Sequence, residues 1–398
     1  MSGALGVLAL AAYWRDWLDL LLRWLHVIAA IAWIGTSFYF VLLDQSLRLP
    51  KKREDSEAGV GGELWEVHGG GFYHVQKYQV APPALPDHLA WFKWEAYTTW
   101  LSGFGLLVVL FYLDAHANLI DPTVADLSTW EAIAISVGLL AAAWIVYDLL
   151  CRLLPHREVV LGACILVLTG IAAWGTSQLF AQRAAFLQVG AMLGTIMAAN
   201  VLFVIIPAHW ELIHAKEDGR EPDAAPAIAA KQRSVHNNYL TLPVLLTMLA
   251  GHFSVLYTAG RPWLVLVGLM VLGAWIRLFY NLRHAGRTHW WMPVVAAAAV
   301  VAIAVAIKPS GDSASATAGD ASAGKAVFTS AGCTACHTLD DAGANGTVGP
   351  NLDAVKPSAA LVVERVTNGE GGMPSFKAKL SETQIQDVAA YVSSVAGK

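Results

Sequence analysis

The chain has 398 residues, enough for two or three ordinary domains, yet 56% are hydrophobic and only 14% are charged, with a mean hydropathy of +0.50. That balance excludes a purely water-soluble protein and puts most of the sequence in lipid. The formal net charge of −4 says little by itself, because the charges segregate by loop, and no nucleic-acid partner is expected.

Apolar runs of spanning length recur near 18–43, 97–113, 131–150, 158–175, 186–207, 239–258, 262–281 and 290–307. The expected fold is therefore all-α: a polytopic membrane bundle of about eight transmembrane helices over residues 1–307. Sixteen tryptophans suit the two membrane interfaces. Arg48, Lys51, Lys52, Arg53, Lys77 and Lys93 follow the first helix, and later odd-to-even connections are also basic. The alternate connections carry almost no basic residue. Positive charge stays inside, so the N-terminus and residue 308 are both expected on the outer face.

Ionisable residues inside spanning helices are costly and count as functional candidates. His26 falls in the outer third of helix one, and His252 at a similar depth in helix six. Two histidines at one depth on two helices could hold a b-type haem; the alternative is a hydrogen bond from each to a neighbouring helix. His209 and His214 after helix five, with His236 before helix six, form a second set near the inner face. From His236 to His252 is 16 residues, about 24 Å of rise, which suits two redox sites stacked across a bilayer. Substrate contact and interface anchoring are the other readings of His209 and His236. Cys151 and Cys164 read as small apolar packing residues.

The connection from 44 to 96 is too aromatic and glycine-rich for a disordered loop. It contains His68-Gly69-Gly70-Gly71-Phe72-Tyr73-His74 and Trp91-Phe92-Lys93-Trp94-Glu95-Ala96-Tyr97. Three glycines either let backbone approach a flat ligand or make a re-entrant turn packed on the bundle. Asp44, Glu95, Glu211, Arg277 and Asn281 gather at the same inner end, which places a substrate pocket there.

Residues 308–320 read as a flexible linker rich in Ser, Ala and Gly. Beyond it, Cys333-Thr334-Ala335-Cys336-His337 is the pattern that attaches a c-type haem, with two thiols for the porphyrin and His337 for one axial iron position. A thioredoxin-like dithiol would need a βαβ context, and a zinc half-site would need more ligands nearby. Gly371-Gly372-Met373-Pro374 offers a thioether from a loop, so Met373 is the expected sixth ligand. Ser381 begins a capped helix with Ile385, Val388, Ala389 and Val392 on one face. Residues 321–398 thus resemble a class I cytochrome c domain, which such haem attachment places on the periplasmic side.

His26 through Phe40, the His68–Tyr73 run, Trp91 through Thr98, and Asn200 near Pro207-Ala208-His209 resemble the membrane-bound urate oxidases of bacteria, also called urate hydroxylases, which carry a C-terminal cytochrome c. The resemblance covers essentially the whole chain. It implies that urate and water become 5-hydroxyisourate, without hydrogen peroxide, and that electrons pass to the fused cytochrome. From there they reach a terminal oxidase or a soluble cytochrome c. It also implies the inner membrane as location. Against that chemistry, Arg277 or Lys77 would hold the anionic edge, Phe72, Tyr73 or Trp94 would stack, and His68, His74 or Glu95 would act as base. The alternative is a permease-like or quinol-linked bundle with a tethered cytochrome.

Overall fold

The computed structural model describes residues 2–257, 259–308, 319–346, 348–369, 373–377 and 379–398. Residues 309–318 of the expected 308–320 linker, and Gly371-Gly372, lie outside the described residues.

Helix α1 runs Ser2–Ser46 with no proline inside it. A short turn, α2 (Arg53–Glu57), leads into an antiparallel hairpin of β1 (Val60–His68) and β2 (Gly71–Tyr78). His68 pairs with Gly71, so the turn is the two residues Gly69 and Gly70, with φ of +57° and +84°. Two consecutive left-handed residues match the right-handed twist of a hairpin, and glycine adopts them without a Cβ clash. The turn is not the re-entrant one packed on the bundle: among the described residues nothing lies within 4 Å of where a Cβ would stand at Gly69, Gly70 or Gly71. The hairpin is pinned to the end of α1. Arg48 and Glu63 exchange backbone hydrogen bonds of 2.9 and 2.8 Å, Tyr39 donates to Glu66 at 2.6 Å, and Lys77 pairs with Asp44.

Next come α3 (Trp94–Leu107), a π-turn at Val108–Tyr112, α4 (Ala115–Asn118), α5 (Thr129–Leu153) behind a Ser128/Glu131 capping box, and α6 (Glu158–Ser177). Helix α7 (Gln182–Asn200) passes through a second π-turn, Val201–Ile205, into α8 (Ile206–Glu217). Pro207 has no N–H to return to the Phe203 carbonyl, so a regular ladder cannot pass this point. Then follow α9 (Ala224–Ala250), α10 (Ser254–Tyr257), α11 (Pro262–His284) and α12 (Trp291–Ala306).

The eight expected spans fall mainly on helices, and among the described residues five helices are long and apolar enough to cross a membrane; α3, at 14 residues, and α12, at 16, are shorter. The sixth span differs most. Asp223 caps α9 well before residue 239, because a polar but helix-favouring stretch extends the helix beyond its apolar part. The helix also stops at Ala250, so His252 sits in the turn that follows.

Helix α7 is the centre of the bundle. Within its continuous α7–α8 span 56% of the apolar window is buried, against 11–28% in the other four spans. It packs on α5, α6 and α9, while α11 packs on α6, α9 and α12, and α1 on α3. Close approach of α7 and α9 depends on Gly190, where a Cβ would overlap the Thr247 side chain.

The C-terminal domain holds α13 (Ala321–Ser330), the short pair β3 (Thr338–Leu339) and β4 (Ala344–Asn345), α14 (Leu352–Val355), α15 (Ala359–Asn368) and α16 (Glu382–Val395). Ser381 and Gln384 form the cap of α16, as expected. Helices α13 and α16 cross at Gly324, where a Cβ would collide with the Asp387 carbonyl. Phe328 and Tyr391 meet edge to face at 5.8 Å above a shared core of Val327, Leu339, Val366 and Val388. The protein is thus mainly helical, with the hairpin as its one larger departure.

Candidate functional site

In the C-terminal domain, Cys333 and Cys336 are unpaired thiols one turn apart. His337 Nδ1 lies 2.9 Å from the Pro350 carbonyl. A carbonyl only accepts, so Nδ1 carries the proton and the Nε2 lone pair is left for a metal. Gly349 leaves room for the ring, since a Cβ there would press on its Cε1 atom. Met373 is half-buried against the domain core. Two thiols, a tautomer-locked imidazole and a thioether fit a covalently bound haem.

Inside the bundle a cavity of about 390 Å³ receives His26 from α1 and His252 from the turn after α9, the two histidines expected at one depth. Arg23 and Arg183 also line it, and glycines 103, 190 and 194 contribute bare backbone to its wall. His26 Nδ1 donates to the Thr99 carbonyl at 3.0 Å, with Ser102 Oγ at 3.2 Å. Its Nε2 is therefore the nitrogen with a free lone pair, as in His337. Gly103 faces this ring, and a Cβ there would stand 2.9 Å from its Cε1. A flat macrocycle needs such a cavity, with imidazole reaching in and cations for its carboxylates; these residues fit one.

A second cavity, of about 340 Å³, opens between α1, α9 and α11 and is lined by Val41, Gln45, Asn238, Tyr239, Asn281 and Arg287, among others. Beside it lies Arg277, only 4% exposed. Its Nε donates to Asn238 Oδ1 at 2.9 Å, and Asn281 Nδ2 donates to the same oxygen at 3.0 Å. The Phe38 ring backs the guanidinium at 3.7 Å. Arg277 Nη2, Asn238 Nδ2 and Asn281 Oδ1 are buried without a partner. Among the described residues no carboxylate pairs with Arg277. An unpaired guanidinium buried in a membrane bundle is costly, and an anionic ligand would offset that cost.

Both cavities share one seam. Along α1, His26, Ala30 and Ile34 line the first, Phe38 backs Arg277, and Val41 and Gln45 line the second. The spacing of three and four residues keeps them on one helix face. Along α9, Thr241 and Val244 line the first cavity and Asn238 and Val235 the second.

The remaining expected site residues are dispersed. His68, Phe72 and Tyr73 are exposed on the hairpin, Phe72 at 78%. His74 bonds Glu63 at 2.9 Å and stacks on Trp65 at 4.3 Å, and Lys77 is held by Asp44. The His74 hydrogen bond, helped by the Lys51 N–H, holds the Glu63 carboxyl below its usual range. Trp94 is exposed beside Lys93 at the start of α3, and Glu95 keeps one buried carboxylate oxygen without a partner. Only Arg277 of this set stands at the buried polar cavity. His209 lies on the outer surface of α8 near Trp91. His236 corrects its expected role as a haem ligand. Its Nδ1 is 2.7 Å from Tyr147 Oη and its Nε2 is 3.2 Å from Glu158, so neither nitrogen is open to iron. Sequence reasoning gave no site role to Phe38 and Asn200, which it noted only for their resemblance, and missed Tyr147, Asn237 and Asn238. The signal available was Asn237-Asn238 itself, since adjacent asparagines are poor helix formers.

Taken together, a helical bundle of membrane-spanning length with an internal cofactor-sized cavity, joined to a haem-binding cytochrome fold, defines a cytochrome-linked membrane oxidoreductase. The family described as "Urate oxidase N-terminal" matches residues 12–308, and "Cytochrome C oxidase, cbb3-type, subunit III" matches residues 319–392. The chain belongs to the urate oxidase N-terminal family and is a urate-acting membrane protein with a fused cytochrome c. Its C-terminal part is similar to cytochrome c6 of Leptolyngbya boryana, 43% identical over 83 residues, covering 20% of this chain and 96% of that protein. Cytochrome c6 of Synechocystis sp. is 39% identical over 96 residues, covering 21% and 72%. The crystal structure of the c-type cytochrome SorU from Sinorhizobium meliloti is 48% identical, covering 20% of this chain and 92% of that one, with a TM-score of 0.19.

Proposed function

We propose that the protein oxidises urate with water to 5-hydroxyisourate and hands the electrons to its fused cytochrome. Urate gains the oxygen of water and releases two electrons and two protons. Oxygen gas is not a reactant, so no hydrogen peroxide forms. The observation that carries this reading is Arg277, a buried cation without a carboxylate, beside a cavity large enough for a purine. Urate is a flat anion with both acceptor and donor edges. Arg277 Nη2 and Asn238 Nδ2 are unused donors, Asn281 Oδ1 is an unused acceptor, and together they complement such an edge. Of the three expected bases, Glu95 has a buried carboxylate oxygen without a partner among the described residues, but it does not line the second cavity, so no base is assigned there.

A b-type haem in the first cavity, held by His26 and His252 with Arg23 and Arg183 near its carboxylates, would supply one-electron acceptance between the substrate and the cytochrome. The basic connections favour an inner membrane orientation with substrate on the cytoplasmic side and the cytochrome in the periplasm. A terminal oxidase or a soluble cytochrome c would take the electrons onward.

The test is anaerobic addition of urate to the purified protein while the reduced cytochrome band is followed, with a peroxide assay alongside. Reduction without peroxide is expected. A cytochrome that stays oxidised overturns the reading in favour of a transport or anchoring bundle.

A further inference from the structure

We propose that Tyr147, His236 and Glu158 form the outlet by which protons leave the oxidation site, an inference that rests on the urate-oxidising reading. The three residues come from α5, α9 and α6. Tyr147 is 3% exposed, whereas the Glu158 side chain is 58% exposed. Tyr147 Oη lies 2.7 Å from His236 Nδ1, and His236 Nε2 lies 3.2 Å from Glu158 Oε2. A buried hydroxyl is thus wired through one imidazole to a carboxylate at the surface.

The chain has a direction. An ionised carboxylate only accepts, so His236 Nε2 carries the proton. Nδ1 of a neutral imidazole then accepts, and the Tyr147 hydroxyl must be its donor. The Tyr147 oxygen in turn accepts from Asn200 Nδ2 at 3.1 Å. Asn200 also donates to Asn237 Oδ1 at 2.8 Å, and Asn237 donates to the Met197 carbonyl at 3.0 Å. From the phenol outward both donors point toward Glu158, whereas Asn200 and Asn237 also donate inward, to Asn237 Oδ1 and the Met197 carbonyl, and so fix the phenol on its inner side. Asn237 is the neighbour in sequence of Asn238, which holds Arg277.

Oxidation of urate releases two protons in a pocket walled by apolar helices, and they need a route to water. A proton from the substrate side binds the Tyr147 oxygen as the phenol proton passes to His236 Nδ1. The His236 Nε2 proton passes to Glu158 and then to water. Each O–H or N–H bond broken is replaced by one formed, and no electron moves. The charged and titratable groups around the relay are Arg233, whose guanidinium is 4.9 Å from the Tyr147 ring, its partner Asp148 at 2.8 Å, Cys151 and His156. Gln232 holds the other Glu158 oxygen at 2.8 Å.

Full-length protein, wild type and with Tyr147→Phe, His236→Gln, Glu158→Gln or Glu158→Asp, is mixed with urate anaerobically in H2O and in D2O across pH. Tyr147→Phe and His236→Gln should slow cytochrome reduction on the order of 100-fold, with the KM for urate changed less than about twofold. Glu158→Gln should change the pH profile and the isotope effect, and Glu158→Asp should restore both. Glu158 is exposed, so its variants test the relay even if a buried substitution unfolds the bundle. Rates, pH profiles and isotope effects equal to wild type in all four variants overturn the proposal. So does an equal loss at every pH in Glu158→Gln that Glu158→Asp does not restore, which marks a structural tie. A wild-type cytochrome that urate never reduces removes the functional reading beneath it, and the outlet with it.

Discussion

In the cytochrome domain the haem-binding groups lie within five consecutive residues plus Met373, whereas in the bundle His26 and His252 come from opposite ends of a long domain and meet only by packing. Of the three histidines at these two sites, His26 and His337 use the same device: Nδ1–H donates to a backbone carbonyl and leaves Nε2 open. The difference lies in what builds the rest of the site. A covalent cofactor needs a short motif and a small fold around it. A cofactor held by packing needs helices placed relative to one another, with glycines such as Gly103 and Gly190 setting how closely they approach.

The contrast can be broken at either end. Replacing Cys333 and Cys336 together by alanine should remove covalent haem completely while any b-type signal of the bundle survives, as read by haem staining on denaturing gels and by difference spectra. His26→Ala with His252→Ala should do the reverse, leaving the c-type band and removing the b-type one. If the bundle shows no b-type absorption in the parent protein, the first cavity does not hold haem.

At the second cavity, Arg277→Ala should lower kcat/KM for urate by roughly 10- to 150-fold, the loss of a charged hydrogen bond of about 1.5–3 kcal/mol. Arg277→Lys should recover only part, since an ammonium cannot keep the planar geometry toward both Asn238 and a ligand. The smallest effect is expected in the cytochrome. Tyr391 donates to Asp341 at 2.6 Å and Lys325 at 2.9 Å, and together they hold that carboxyl below its usual range. A lowered folded pKa means that the stabilisation is full above the unfolded value of about 3.9 and fades as pH falls through the folded value. Denaturant titration should show Asp341→Asn less stable than wild type at neutral pH, with the two converging at acidic pH.

Much of the fold was legible. A run of about twenty apolar residues has one economical structure in a bilayer, so the expected spans fell mainly on helices, five of them long and apolar enough to cross a membrane. The hairpin was not, because attention to three glycines as a platform hid the simpler pattern of two strands around a two-residue turn. Arg277 stood out at the candidate site because charge in an apolar run is conspicuous. Asn238 and Phe38 did not, since an amide and a phenyl ring acquire meaning only from what they touch. His236 was misread for a similar reason: its partner Tyr147 lies 89 residues away in the chain.

The π-turn at Val201–Ile205 joins α7 to α8 with one residue more than a regular turn would hold. Winding the same residues into an ordinary α-helix would swivel one half against the other by about 100°. With α7 held in the bundle by Asn200 on Tyr147 and Asn237, α8 would take that turn. The extra residue is a phase-setting joint: it lets a single continuous rod show one azimuth to the middle of the bundle and another to the end that carries Trp210.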